Sequence, residues 1–154
     1  EIKQADKEIK ELNNIIESID NIVVWRAIVD SLNKFDYTFI SNNIEKIIGC
    51  KASDLTTGKI SLFNIIHHEH KKYFKEWLKK KSNNINVNHK IICSDETEKW
   101  VATKLFIKDC NGEKIVTGTH TDITDQVEKL IFSLRKNGVN ENTIANVLSD
   151  INIV

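Results

Sequence analysis

The stretch from Lys114 to Leu134, KIVTGTHTDITDQVEKLIFSL, constrains the fold more than any other part of the chain. Its first half is rich in β-branched residues (Ile115, Val116, Thr117, Thr119, Thr121), as a strand half-buried in a sheet requires. After Asp122-Ile123-Thr124 the period changes. Val127, Leu130, Ile131 and Leu134 then recur at helical spacing among Asp125, Gln126, Glu128 and Lys129. The short oxygen-bearing side chains of Asp122 and Thr124 can accept the unpaired amide hydrogens of a starting helix, and Asp125 and Glu128 suit its positive end. A strand thus runs directly into an amphipathic helix with almost no loop. Such a rigid joint can carry movement of a sheet into whatever follows.

A chain of 154 residues is long enough for one domain with a modest core plus flanking elements. Lysine and arginine total 22 and acidic residues total 22, so no electrostatic case exists for nucleic acid or an anionic membrane. No apolar run approaches the length of a membrane span, and no secretory signal is visible. Cys50, Cys93 and Cys110 are odd in number and widely spaced, which fits neither a disulfide framework nor a zinc pattern. Reduced thiols in a cytoplasmic setting are the expectation. The absence of methionine reads as a fragment or processed product of a larger parent protein.

Taken in order, residues 1–20 carry a heptad, with Ile2, Ile9 and Ile16 at one core position and Ala5, Leu12 and Ile19 at the other. This pattern predicts a parallel two-stranded coil and hence a homodimer, the alternative being a single amphipathic helix lying on its own domain. Residues 22–32, IVVWRAIVDSL, read as a first strand, 33–36 as a turn and 37–41 as a second strand. Ser41 or Asn42 is placed to cap a short helix from Asn43 to Ile48, stopped by Gly49. Tyr73, Phe74, Trp77 and Leu78 form the apolar stripe of a longer helix that ends in Lys79-Lys80-Lys81. Over 85–94, Val87, His89, Ile91 and Cys93 alternate with Asn86, Asn88 and Lys90. Residues 99–108 carry apolar side chains on both faces, and 95–97 and 109–112 are turns. With 114–124 these make a three-stranded antiparallel meander. Two strands, then helices, then three strands is an α+β pattern. In the tail, Asn140 or Asn142 caps a helix over 143–148.

Three runs carry a family resemblance: F-I-S-N-N-I-E-K-I-I-G-C-K-A-S-D-L, H-K-I-I-C-S-D-E-T-E-K-W-V with the Asn-Gly turn after it, and G-T-H-T-D-I-T. Over roughly residues 22–130 the chain resembles a PAS sensory domain of the subfamily with an Ile-His-Pro-Glu-Asp-like corner and a C-terminal Asp-Ile-Thr motif. Ile66, His67 and Glu69 match that corner, while His68 replaces the proline and His70 the acidic residue. Glu96 stands where a turn glycine is usual, so a looser turn or one of another type is expected there. The resemblance implies a five-stranded antiparallel sheet with helices on one face. It divides the chain into a signalling helix (1–21), a PAS domain (22–124), and an exit helix with a linker (125–154).

The same resemblance implies a non-catalytic sensor. Ligand or redox state alters packing between the long helix and the sheet, and Asp122, Ile123 and Thr124 pass the change to an output module in cis, of histidine kinase or diguanylate cyclase type. Two rivals stand beside it: a pure dimerisation module without ligand, and the sensory part of a helix-turn-helix regulator, whose start G-V-N-E-N-T-I-A-N-V-L-S loosely resembles.

Possible chemistry is sparse. His67, His68 and His70 with Glu69 are the densest set of metal ligands, yet no matching cluster completes a site, so they are read as capping the long helix and facing water. Neither zinc nor haem is expected, and the Asn-Cys-Arg-Phe-Leu run of flavin-adduct PAS domains is missing. Phe74, Trp77, His89, Ile91 and Cys93 are the candidate lining of a small-molecule pocket, and His120 also falls within a strand. Five glycines leave no room for a phosphate loop, and no nucleophile stands with a base.

Overall fold

Alternation between core and solvent side chains builds the sheet. In the computed structural model, which describes residues 2–19, 21–32, 34–62, 76, 84–93 and 95–151, β1 (Ile22–Val29) turns Val23, Trp25, Ala27 and Val29 into the core. β2 (Phe35–Ile40), β3 (Asn84–Ile92), β4 (Glu98–Cys110) and β5 (Glu113–Asp122) complete one five-stranded sheet in the order β2-β1-β5-β4-β3. All its pairings are antiparallel. The expected α+β class and the antiparallel sheet are both present. The long helix expected around Tyr73–Leu78, with Phe74 and Trp77, and the His67–His70 corner lie outside the described residues.

The ends of the first hairpin differ from expectation. β1 stops at Val29 because the Asp30 carboxylate accepts the amides of Leu32 (2.8 Å) and Lys34 (2.9 Å), folding the chain back at once. β2 holds a bulge: Arg26 pairs with Phe39 and Ala27 with Tyr37, leaving Thr38 unopposed. That extra residue keeps Tyr37 and Ile40 on the core side and turns Phe39 to the other face.

Two short helices, α2 (Ile44–Ile47) and α3 (Ala52–Thr56), cover the inner face with Ile44, Ile47, Ile48 and Leu55. The cap expected for α2 is absent. Asn43 is its N-cap and makes no side-chain cap bond, because its Oδ1 accepts the Ser41 hydroxyl and its Nδ2 donates to the Ile22 carbonyl, while the Ser41 oxygen accepts the Val24 amide. Gly49 (φ 89°) ends the segment as expected. The 95–97 turn is not loose. Glu96 itself takes the left-handed conformation (φ 67°), and the turn is closed by backbone bonds between Cys93 and Thr97 and between Glu96 and Cys93. The Asp95 carboxylate, which accepts the Thr97 amide and hydroxyl, holds it shut and is itself kept below the usual carboxylate range by those bonds.

The exit helix α4 (Thr124–Lys136) starts one residue earlier than expected, and buried Val127 anchors it. Asn140 caps α5 (Glu141–Ile151) by accepting the Thr143 amide at 2.8 Å, and Arg135 pairs with Glu141 across the α4–α5 turn. At the other end, α1 (Ile2–Glu17) lies on the sheet face opposite α2 and α3 and buries Ile16. The heptad therefore does not stay on one exposed seam: Ile9, Leu12 and Ile16 face the chain's own sheet. Ala5, Ile15 and Ile19 lie outside that contact and are exposed. Among the described residues no helix is long and apolar enough to cross a membrane.

Candidate functional site

Side chains of even spacing on four adjacent strands meet on the inner face of the sheet. Trp25 of β1, His120 of β5, Thr103 of β4 and His89 of β3 are all buried, at 3%, 9%, 1% and 1% exposure. The Trp25 indole donates from Nε1 to His120 Nε2 at 2.8 Å. His120 Nδ1 lies 2.7 Å from Thr103 Oγ1, which lies 2.6 Å from His89 Nε2. One hydrogen-bonded chain thus crosses the sheet from β1 to β3.

Register explains how the chain closes. Thr103 stands directly opposite His120, but Trp25 stands opposite Gly118, two pairs along the ladder from His120. The indole reaches over β5 because Gly118 has no side chain; a Cβ there would fall inside the Trp25 ring. Trp25 also stacks on His120 with centroids 6.1 Å apart, and Phe35 and Tyr37 meet it edge-on.

The polarity of the chain is set by its first member. An indole nitrogen can only donate, so His120 Nε2 carries the lone pair and Nδ1 carries the proton. That proton goes to Thr103 Oγ1, which shares a second hydrogen bond with His89 Nε2. Burial holds the His120 imidazole well below its ordinary value, at about 4, which keeps the ring neutral in this tautomer near pH 7. A satisfied polar chain in a dry core is costly to disturb, so a change at one end is felt at the other.

Beyond His89, Ile91 and Cys93 share the inner face of β3 and are buried, so three of the five candidate pocket residues stand together. Phe74 and Trp77 lie outside the described residues. Burial raises Cys93, against a hydrogen bond with Thr97, and pushes the Cys50 thiol up to about 11. Both are protonated thiols rather than nucleophiles. Among the described residues no group of three or more His, Cys, Asp or Glu could hold a metal ion.

Two residues after His120 the strand reaches the joint. Asp122 Oδ1 accepts the Thr124 amide at 3.0 Å and the Thr124 hydroxyl at 2.6 Å. Asp122 is not itself the N-cap, a place taken by Ile123. Thr124 is turned to the sheet rather than to its own helix, since its Oγ1 accepts the Trp100 amide. Ile123 donates to the Trp100 carbonyl, and the Asp122 amide donates to the Asn21 carbonyl where the chain enters the sheet. Lys99 donates to the Ile47 carbonyl of α2 at 2.6 Å and sits 3.9 Å from Asp122 Oδ2. The start of α4 is therefore tied to β4, to α2 and to the incoming chain. Trp25, Thr103, Gly118 and Lys99 escaped the sequence reading. The available signal was Gly118 interrupting a β-branched run with His120 at the same parity.

Solved structures share the fold of this chain. A domain described as coming from a light and redox sensing histidine kinase of Haloarcula marismortui superposes with a TM-score of 0.59 at 20% identity, spanning 75% of this chain and 99% of that one. The PAS domain of an HTR-like protein from the same organism gives 0.57 at 13%, over 79% and 96%. The N-terminal domain of a diguanylate cyclase with PAS/PAC sensor from Marinobacter aquaeolei gives 0.55 at 13%, over 68% and 97%. No curated protein matches the chain. A family model described as PAS fold matches residues 37–120, more than half of the sequence, from within β2 to within β5. With that match, the chain belongs to the PAS fold family.

Proposed function

We propose that this PAS domain is a non-catalytic cytoplasmic sensor that relays ligand or redox state to an output module in cis, of histidine kinase or diguanylate cyclase type. The observation that carries this reading is the chain from His89 through Thr103 to His120, two residues before the Asp122–Thr124 joint that starts α4. The occupant is a small molecule that meets His89, Ile91 and Cys93 on the inner face, without a flavin adduct, haem or other metal. Its presence changes which hydrogen bonds His89 makes. The change passes along the polar chain to β5, and Asp122, Ile123 and Thr124 shift α4. The histidine kinase and diguanylate cyclase parents of PAS domains with this fold support the type of output. A homodimer held by α1 lets two exit helices move against each other.

The test is a fusion in which α4 continues in frame into a histidine kinase module, with autophosphorylation as readout. Thr103→Val removes the hydroxyl that links the two histidines, and His89→Gln alters the far end. Both variants should move the autophosphorylation rate several-fold away from that of the unsubstituted fusion while the sheet stays folded. Rates equal to the unsubstituted fusion in both would overturn the relay.

A further inference from the structure

On the face of the sheet opposite the polar chain, α1 and the strands enclose a groove of about 700 Å³, within the usual size of small-molecule sites. The helix is seated at its C-terminal end, where Ile16 is 5% exposed, and stands away toward its start, where Ile9 and Leu12 are 47% and 45% exposed. Beneath it, one row crosses the sheet: Phe39 pairs with Arg26, Arg26 with Thr117, and Thr117 with Phe106. Phe39 belongs to this row only because of the β2 bulge at Thr38, which re-aims it from the core. Arg26 therefore stands in this row between Phe39 and Thr117, with Phe106 beyond Thr117.

Charge in the groove is of one sign. Arg26 and Lys108 line it and no aspartate or glutamate does. Among the described residues no carboxylate pairs with either cation. An arginine fork presents two parallel donors to a planar anion, and its face packs on aromatic rings.

We propose that this groove binds an amphipathic carboxylate, its acid group on Arg26 with Lys108 nearby and its aliphatic body along Ile9, Leu12, Phe39 and Phe106. The groove is separate from the inner-face ligand position proposed above, and the two readings stand or fall independently. Bound there, such a molecule holds α1 against the sheet.

The chain itself, residues 1–154, is titrated with decanoate, and amide chemical shifts and calorimetry are recorded. Decyltrimethylammonium, with the same tail and the opposite charge, is the comparison. Saturation at one decanoate per chain is expected, with the shifts centred on Arg26, Thr117 and Phe106 and no saturable binding of the cation. Arg26→Gln, at an exposed position that does not threaten folding, should weaken decanoate about tenfold or more, in keeping with a lost charge-assisted pair. Lys46→Gln, an exposed cation on α2, should leave it unchanged. Equal binding of the two tails overturns the proposal, as does unchanged affinity in Arg26→Gln. It is also overturned if the shifts map to the inner face, if no saturation is reached, or if a second copy of the chain fills the groove and excludes decanoate.

Discussion

At Gly118 a hydrogen stands where any other residue would put a carbon, and the Trp25 indole occupies the space that this leaves. The consequence is a histidine, His120, held neutral by burial and by the donor above it. Below pH 6.5 the unfolded chain takes up a proton on this residue that the folded chain refuses until about pH 4. Folded stability that is complete at neutral pH is therefore lost as pH falls from 6.5 to about 4. The span corresponds to about 3 kcal/mol, at about 1.4 kcal/mol per pH unit. Urea unfolding at pH 7 and pH 4.5 should show this loss in the native chain and a smaller one in His120→Gln. Equal losses in both would mean that other groups set the acid sensitivity.

Among the elements, α4 depends most on one side chain. Asp122 gathers the Thr124 amide and hydroxyl while Lys99 stands behind it, bound in turn to α2. Loss of a side-chain acceptor at a helix start costs about 0.5–2 kcal/mol, enough to loosen one helix and too little to unfold a domain. Asp122→Ala should therefore raise amide exchange through 124–136 while 98–107 in β4 keeps its protection. Joint loss of protection would make Asp122 a residue of the whole fold, and no change in either segment would remove it from the relay. Asp122 and Thr124 could be singled out from sequence because period and capping chemistry are local. Lys99 could not, since its partner Ile47 is 52 residues away.

For the whole molecule, the sheet is loaded on both faces: α2 and α3 on one, α1 on the other. Because α1 turns Ile9, Leu12 and Ile16 to its own sheet, the proposed association between copies falls to the edge left exposed, Ile15 and Ile19 with Ala5. Ile15→Asp with Ile19→Asp should turn a dimer into monomers by light scattering, with the β-sheet circular dichroism unchanged. An unsubstituted chain that is monomeric at high micromolar concentration would refute the dimer outright.

The α+β class, the order of the strands along the chain, the strand-to-helix joint and the shared face of His89, Ile91 and Cys93 were legible from residues alone. Each depends on alternation, helical period or turn chemistry within a few positions. What only the tertiary structure decided depends on register between distant strands. Trp25 and His120 are 95 positions apart, and they meet through a glycine whose role is to be small under a ring that sequence places nowhere near it. The bulge that sends Phe39 outward, and the division of the α1 heptad between two faces, have the same origin. A period says that a residue is buried, and only the partner strand says against what.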